Sequence, residues 1–73
     1  MDFLVQIGRE VWAIEVKAAR QVDSRAAKAL NTLTAREIRG LKRRVVVFLG
    51  PRRQRIGDAD ALPLREFLKE LPR

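Results

Sequence analysis

Three residues near the start of the chain, Asp2, Glu15 and Lys17, have the types and spacing for phosphodiester chemistry. Paired carboxylates hold a divalent cation, which polarises a phosphate and acidifies a bound water. A lysine beside them positions that water or stabilises the developing charge. Glu15-Val16-Lys17 ends an apolar run, and the period-2 alternation of a strand puts Glu15 and Lys17 on one face. A second reading of the same residues is a strand end where acid and base form an ion pair worth little.

Bringing Asp2 to Glu15 requires a hairpin. Asp2 to Ile7 and Val11 to Lys17 read as two strands, and Gly8-Arg9 as a glycine-first, two-residue loop of type II′. Pairing Ile7 with Glu10 then sets Val5 against Trp12, Phe3 against Ile14 and Asp2 against Glu15. Phe3, Val5, Ile7, Trp12, Ile14 and Val16 share one face; Asp2, Leu4, Ala13, Glu15 and Lys17 share the other. Two carboxylates directly opposite each other repel, and a cation or a lysine between them removes that cost. Slipping the register by one residue would dissolve the arrangement.

Composition narrows the chemistry further. The 73 residues include neither cysteine nor histidine, so thiolate and zinc sites and histidine catalysis are excluded. Hard oxygen coordination remains, which suits magnesium, manganese or calcium, and the nuclease chemistry above points to Mg2+ or Mn2+. Sixteen Lys and Arg against nine Asp and Glu give a net charge of +7, which favours an anionic partner such as nucleic acid. Arginine-rich codon usage gives the same composition. No apolar stretch approaches the ~20 residues that span a bilayer. The start lacks a basic segment followed by a long apolar one, so the expectation is a cytoplasmic protein without a membrane role.

The rest of the chain supplies a scaffold. Asp23 or Ser24 is a suitable N-cap for a helix over 25–39, ended near Gly40. On its wheel Ala26, Leu30, Leu33, Thr34, Glu37, Ile38 and Leu41 form the packing face. Arg25, Lys28, Thr32, Arg36, Arg39 and Arg43 lie in an opposite, largely basic stripe. That stripe would track a phosphate backbone or would simply be a solvated face. Arg44 to Leu49 reads as a strand buried on both faces, parallel to the second hairpin strand through the helical crossover. Residues 53–56 suit a short charged edge strand, 57–60 a loop with Asp58 and Asp60 as turn residues, and 64–71 a helix behind Pro63. Trp12 is expected in the core rather than as a stacking platform. The fold class is therefore α/β: a small mixed sheet with an N-terminal hairpin, a packed amphipathic helix and a short C-terminal helix.

Asp2…Glu15-Val16-Lys17, with Phe3-Leu4-Val5 ahead and a helix behind, resembles the D…(E)xK signature of the PD-(D/E)XK, or restriction-endonuclease-like, superfamily. More closely, the stretch DFLVQIGREVWAIEVKAA, with the later VVVFLG and ALPLREFL, is similar to the C-terminal domain of unknown function of prokaryotic P-loop ATPases. The resemblance implies Asp2 and Glu15 as metal ligands, the Val16 carbonyl as a further contact and Lys17 as the catalytic lysine. It implies one nuclease-like domain over 1–73 that lacks the N-terminal helix and strand of the full core. The chain has no GxxxxGK[ST] loop of its own. Three functions follow as expectations. One is a nuclease-like, nucleic-acid-associated domain with a degenerate or incomplete magnesium site, weak or inactive in phosphodiester hydrolysis on its own. Another is a non-catalytic module that forms a homodimer or docks on a partner ATPase. A third is a basic nucleic-acid-binding domain without a metal.

Overall fold

The computed structural model describes residues 3–72. β1 (Phe3–Ile7) and β2 (Glu10–Val16) form the expected hairpin, with Ile7 opposite Glu10, Val5 opposite Trp12 and Phe3 opposite Ile14. Gly8 has φ of 63°, and no described non-glycine residue has positive φ, as a glycine-first type II′ turn requires. The expected Asp2–Glu15 pair lies outside the described residues.

β3 (Leu41–Phe48) runs parallel to β2, and β5 (Ala59–Pro63) runs parallel to β3. β4 (Gln54–Ile56) returns antiparallel to β5, giving the order β1-β2-β3-β5-β4. A continuous apolar run makes β3 central: Val45, Val46, Val47 and Phe48 are all buried.

The two sheet faces carry different helices. Ala13, Val46, Phe48, Ala59 and Ala61 pack against Ala27 and Leu30, from a 3-10 turn (Ser24–Ala27) and α1 (Lys28–Thr32). On the other face Trp12, Ile14, Val45, Val47 and Leu62 pack against Phe67 of α2 (Leu64–Glu70). Trp12 is a core residue, as expected.

Two expectations need correction. The helix over 25–39 is not continuous. It consists of the 3-10 turn, capped by the Asp23 side chain, and a five-residue α1. Leu33 then turns extended, with φ −72° and ψ 143°, and Thr34 starts a separate turn by accepting the Glu37 amide on its hydroxyl. The break is fixed from elsewhere. The Arg44 guanidinium donates to the Leu30 carbonyl, which also accepts the Leu33 amide, and to the Leu33 carbonyl just past the helix C-terminus. The second correction concerns 57–60, expected as a loop. Only Gly57-Asp58 forms the turn; Ala59 and Asp60 begin β5. Asp60 is a strand residue whose charge is met by Arg43 and Arg55, so the segment tolerates it inside a sheet.

Candidate functional site

Glu15 projects from β2 on the same face as Ala13, towards α1. It is the buried charged residue among those described, 7 % exposed. Lys17 follows two residues later, where its amide donates to the Val47 carbonyl at 2.9 Å and keeps the chain against β3. Its ammonium lies 3.6 Å from Glu15 Oε2 and is 44 % exposed. The acid is therefore sheltered and the base faces solvent.

A groove of about 470 Å³ opens beside this pair, between the end of β2 and the first helical turns. Glu15 and Lys17 form one wall; Arg25, Lys28, Ala29 and Thr32 form the other. Arg25 is tethered: its Nη2 is 2.8 Å from Asp23 Oδ2, and its amide donates to Asp23 Oδ1 at 3.0 Å. The Arg25 hydrogen bonds hold the Asp23 carboxyl below its ordinary range. Lys28 is exposed on the opposite lip and makes no ion pair among the described residues. Among the described residues the groove thus offers one sheltered carboxylate and three cations. It sits at the carboxyl end of a parallel strand, where open α/β sheets characteristically bind ligands.

The basic stripe expected on one long helix divides into three parts. Arg25 and Lys28 line the groove. Arg36 and Arg39 fall after the break at Leu33, next to Gly40, whose carbonyl accepts the Val11 amide near the hairpin turn. The length of β2 separates them from Lys17 by roughly 20 Å. Arg43 is not part of the stripe at all. It belongs to β3 and stands on the α2 face, with its guanidinium 4.9 Å from the Trp12 ring centroid.

That guanidinium joins a network absent from the sequence reading. Arg43 Nη2 is 3.1 Å from Asp60 Oδ2 and 2.6 Å from Glu70 Oε1. Arg53 meets Glu70 at 2.6 Å and Arg55 meets Asp60 at 2.8 Å. Partial burial raises both carboxyls, but the arginine hydrogen bonds and charges outweigh it and leave each below its ordinary value. The available signal was strand alternation through Lys42-Arg43-Arg44, which sends Arg43 to α2 and Arg44 to α1. Thr32, expected in the same stripe, lies one helical turn beyond Lys28 and lines the groove with it.

The donors fit a hard cation in kind, since carboxylate and carbonyl oxygens suit magnesium or manganese. Among the described residues Glu15 is the one carboxylate lining the groove, and no three of His, Cys, Asp and Glu gather as a metal cluster. Asp2, the second expected ligand, lies outside the described residues. Val16, expected to contribute its carbonyl, is paired with Val47 across the β2–β3 ladder.

Fold and groove together define an α/β domain with a parallel-centred mixed sheet, a helix on each face and an acid–base pair at a strand end. The chain belongs to the family described as Domain of unknown function (DUF4143), which matches residues 1–67. No curated protein and no solved structure matches it. No helix among the described residues is long and apolar enough to cross a membrane.

Proposed function

We propose that the chain is a nuclease-like, nucleic-acid-associated domain of the PD-(D/E)XK type, working beside a P-loop ATPase of the kind its sequence resembles. The observation that carries this reading is the sheltered Glu15 carboxylate, 3.6 Å from the Lys17 ammonium, in a groove rimmed by Arg25 and Lys28. Phosphodiester chemistry needs acceptors for a cation next to donors for phosphate, and the groove combines both. Lys28, free of ion pairs among the described residues, and the exposed Lys17 ammonium hold a phosphate by charge. The tethered Arg25 adds a fixed positive charge at the groove wall.

Glu15 and Asp2 are the residues that would hold Mg2+ or Mn2+, with Val16 contributing its carbonyl. When bound, such an ion polarises the phosphate and lowers the pKa of a water molecule. The Lys17 side chain stabilises charge on the phosphate. The test is a metal titration followed through backbone amide shifts. Saturable changes around 14–17 that vanish in Glu15→Ala support the reading. Their absence contradicts it.

A further inference from the structure

The two edges of the sheet are protected differently. β4 is three residues long, contains Arg55 and follows Arg52-Arg53, features that discourage pairing with another chain. β1 is five residues long, Phe3-Leu4-Val5-Gln6-Ile7, with no charge and no proline. Phe3 is 54 % exposed and Leu4 50 %, and they point to opposite faces, so the edge exposes a large apolar side chain on each side, with the uncharged Gln6 beside Leu4.

The hairpin register identifies which backbone groups are open. A two-residue loop closes on a hydrogen-bonded pair, here Ile7 with Glu10, so Ile7, Val5 and Phe3 direct their amides and carbonyls to β2. Leu4 and Gln6 direct theirs away from the sheet. We propose that this edge pairs with a second copy of the chain, antiparallel, about a two-fold axis at Val5. Leu4 then exchanges both backbone hydrogen bonds with Gln6 of the other copy, and Gln6 with its Leu4, giving four bonds across the axis. A two-fold at Val5 is the register that engages all five residues of the strand.

The side chains support the same register. On the α2 face, Phe3 lies opposite Ile7 of the second copy, and the two Val5 residues meet at a non-hydrogen-bonded position, where side chains approach most closely. Val5 and Ile7 already pack against the Trp12–Phe67 cluster, so the pairing extends an existing core. Charge favours this edge over the β4 edge. Two copies of a chain with net charge +7 repel, and β1 is an uncharged strand along which they can meet.

The area is modest. Phe3, Leu4 and the edge backbone offer roughly 400 Å² per copy, half of what standard stable interfaces bury. A concentration-dependent dimer with a dissociation constant on the order of 10–100 µM follows. Sedimentation equilibrium of the whole chain from ~10 µM to ~1 mM should show that transition. The Leu4 and Gln6 amides should become protected from exchange as the dimer forms. Leu4→Pro removes an outward amide without touching a hairpin hydrogen bond and should weaken the dimer at least roughly 10-fold. Phe3→Lys changes the side chain and leaves the backbone intact, so it guards against misfolding of the proline variant. A chain that stays monomeric at ~1 mM, leaving the edge to a strand of another protein, overturns the proposal. A dimer unaffected by both variants overturns it too.

Discussion

Replacing Arg44 by methionine isolates the contact that shapes the helical wall of the groove. The Arg44 Nε donates to the Leu30 carbonyl at 3.0 Å, and its Nη2 donates to the Leu33 carbonyl. Both acceptors lie at the end of α1, which has five residues and no side-chain cap at its start. A helix that short has negligible stability of its own and persists through Leu30 burial and this clamp. Hydrogen bonds to a charged donor contribute roughly 1.5–3 kcal/mol each, and two made by one group do not add fully. A loss of about 2–4 kcal/mol is therefore expected, the methionine retaining the apolar stem. For 73 residues, total stability at ~0.05–0.15 kcal/mol per residue is about 4–11 kcal/mol, so the variant loses a large fraction of it. Urea unfolding followed by circular dichroism should show a lower midpoint at unchanged slope. Amide exchange over 28–33 should accelerate more than over β3. Arg44→Lys should fall between wild type and Arg44→Met, because it keeps the charge but not both directions of donation. A change below ~0.5 kcal/mol, with α1 exchange unaltered, would refute the reasoning.

Stability should also depend on pH through the Arg43 network. Asp60 and Glu70 have folded pKa values below their ordinary 3.8 and 4.5, so their contribution is complete above those values. It is lost as pH falls through the lower folded values, and Arg43→Met should flatten that acid limb of a thermal-unfolding profile. A profile unchanged by the substitution would mean the network contributes nothing. For nucleic-acid binding, Lys28→Ala should reduce the slope of log K against log salt by about 1, whereas Arg39→Ala should leave it nearly unchanged. Equal effects of the two substitutions would restore a single continuous basic stripe.

Much of the fold was legible in short-range sequence. The glycine-first loop fixes the hairpin register, and each described pair from Phe3–Ile14 to Ile7–Glu10 follows from it. The run Val45–Phe48 signals a buried parallel strand because every residue in it is apolar. The break at Leu33 has no such local sign. Helical periodicity continues through Leu33, Glu37 and Ile38, and what ends α1 is a guanidinium from a strand eleven residues further on. β5 was hidden for a related reason. Ala59-Asp60-Ala61-Leu62-Pro63 has no β-branched residue, and its aspartate looks like a turn residue until Arg43 and Arg55 neutralise it.

The site shows the same division. Alternation along β2 places Glu15 and Lys17 on one face, and the structure sets their charges 3.6 Å apart. The basic residues were harder to place, because a helical wheel assumes one unbroken helix. Once the helix ends at Thr32, residues that share a wheel position no longer share a surface. Arg25 and Lys28 remain beside Glu15, Arg36 and Arg39 move to the opposite end of the sheet, and Arg43 crosses to the other face.

The central claim, that the Glu15–Lys17 groove is a divalent-cation and phosphate site, is tested most directly by Mg2+ and Mn2+ titrations monitored through backbone amide resonances, with Glu15→Ala as control. The account predicts saturable shifts, and paramagnetic broadening by manganese, confined to residues 14–17 and the facing turn at 25–28, and absent in the variant. Uniform small shifts across the protein, or changes that survive Glu15→Ala, would contradict it and leave Glu15 and Lys17 as a structural ion pair.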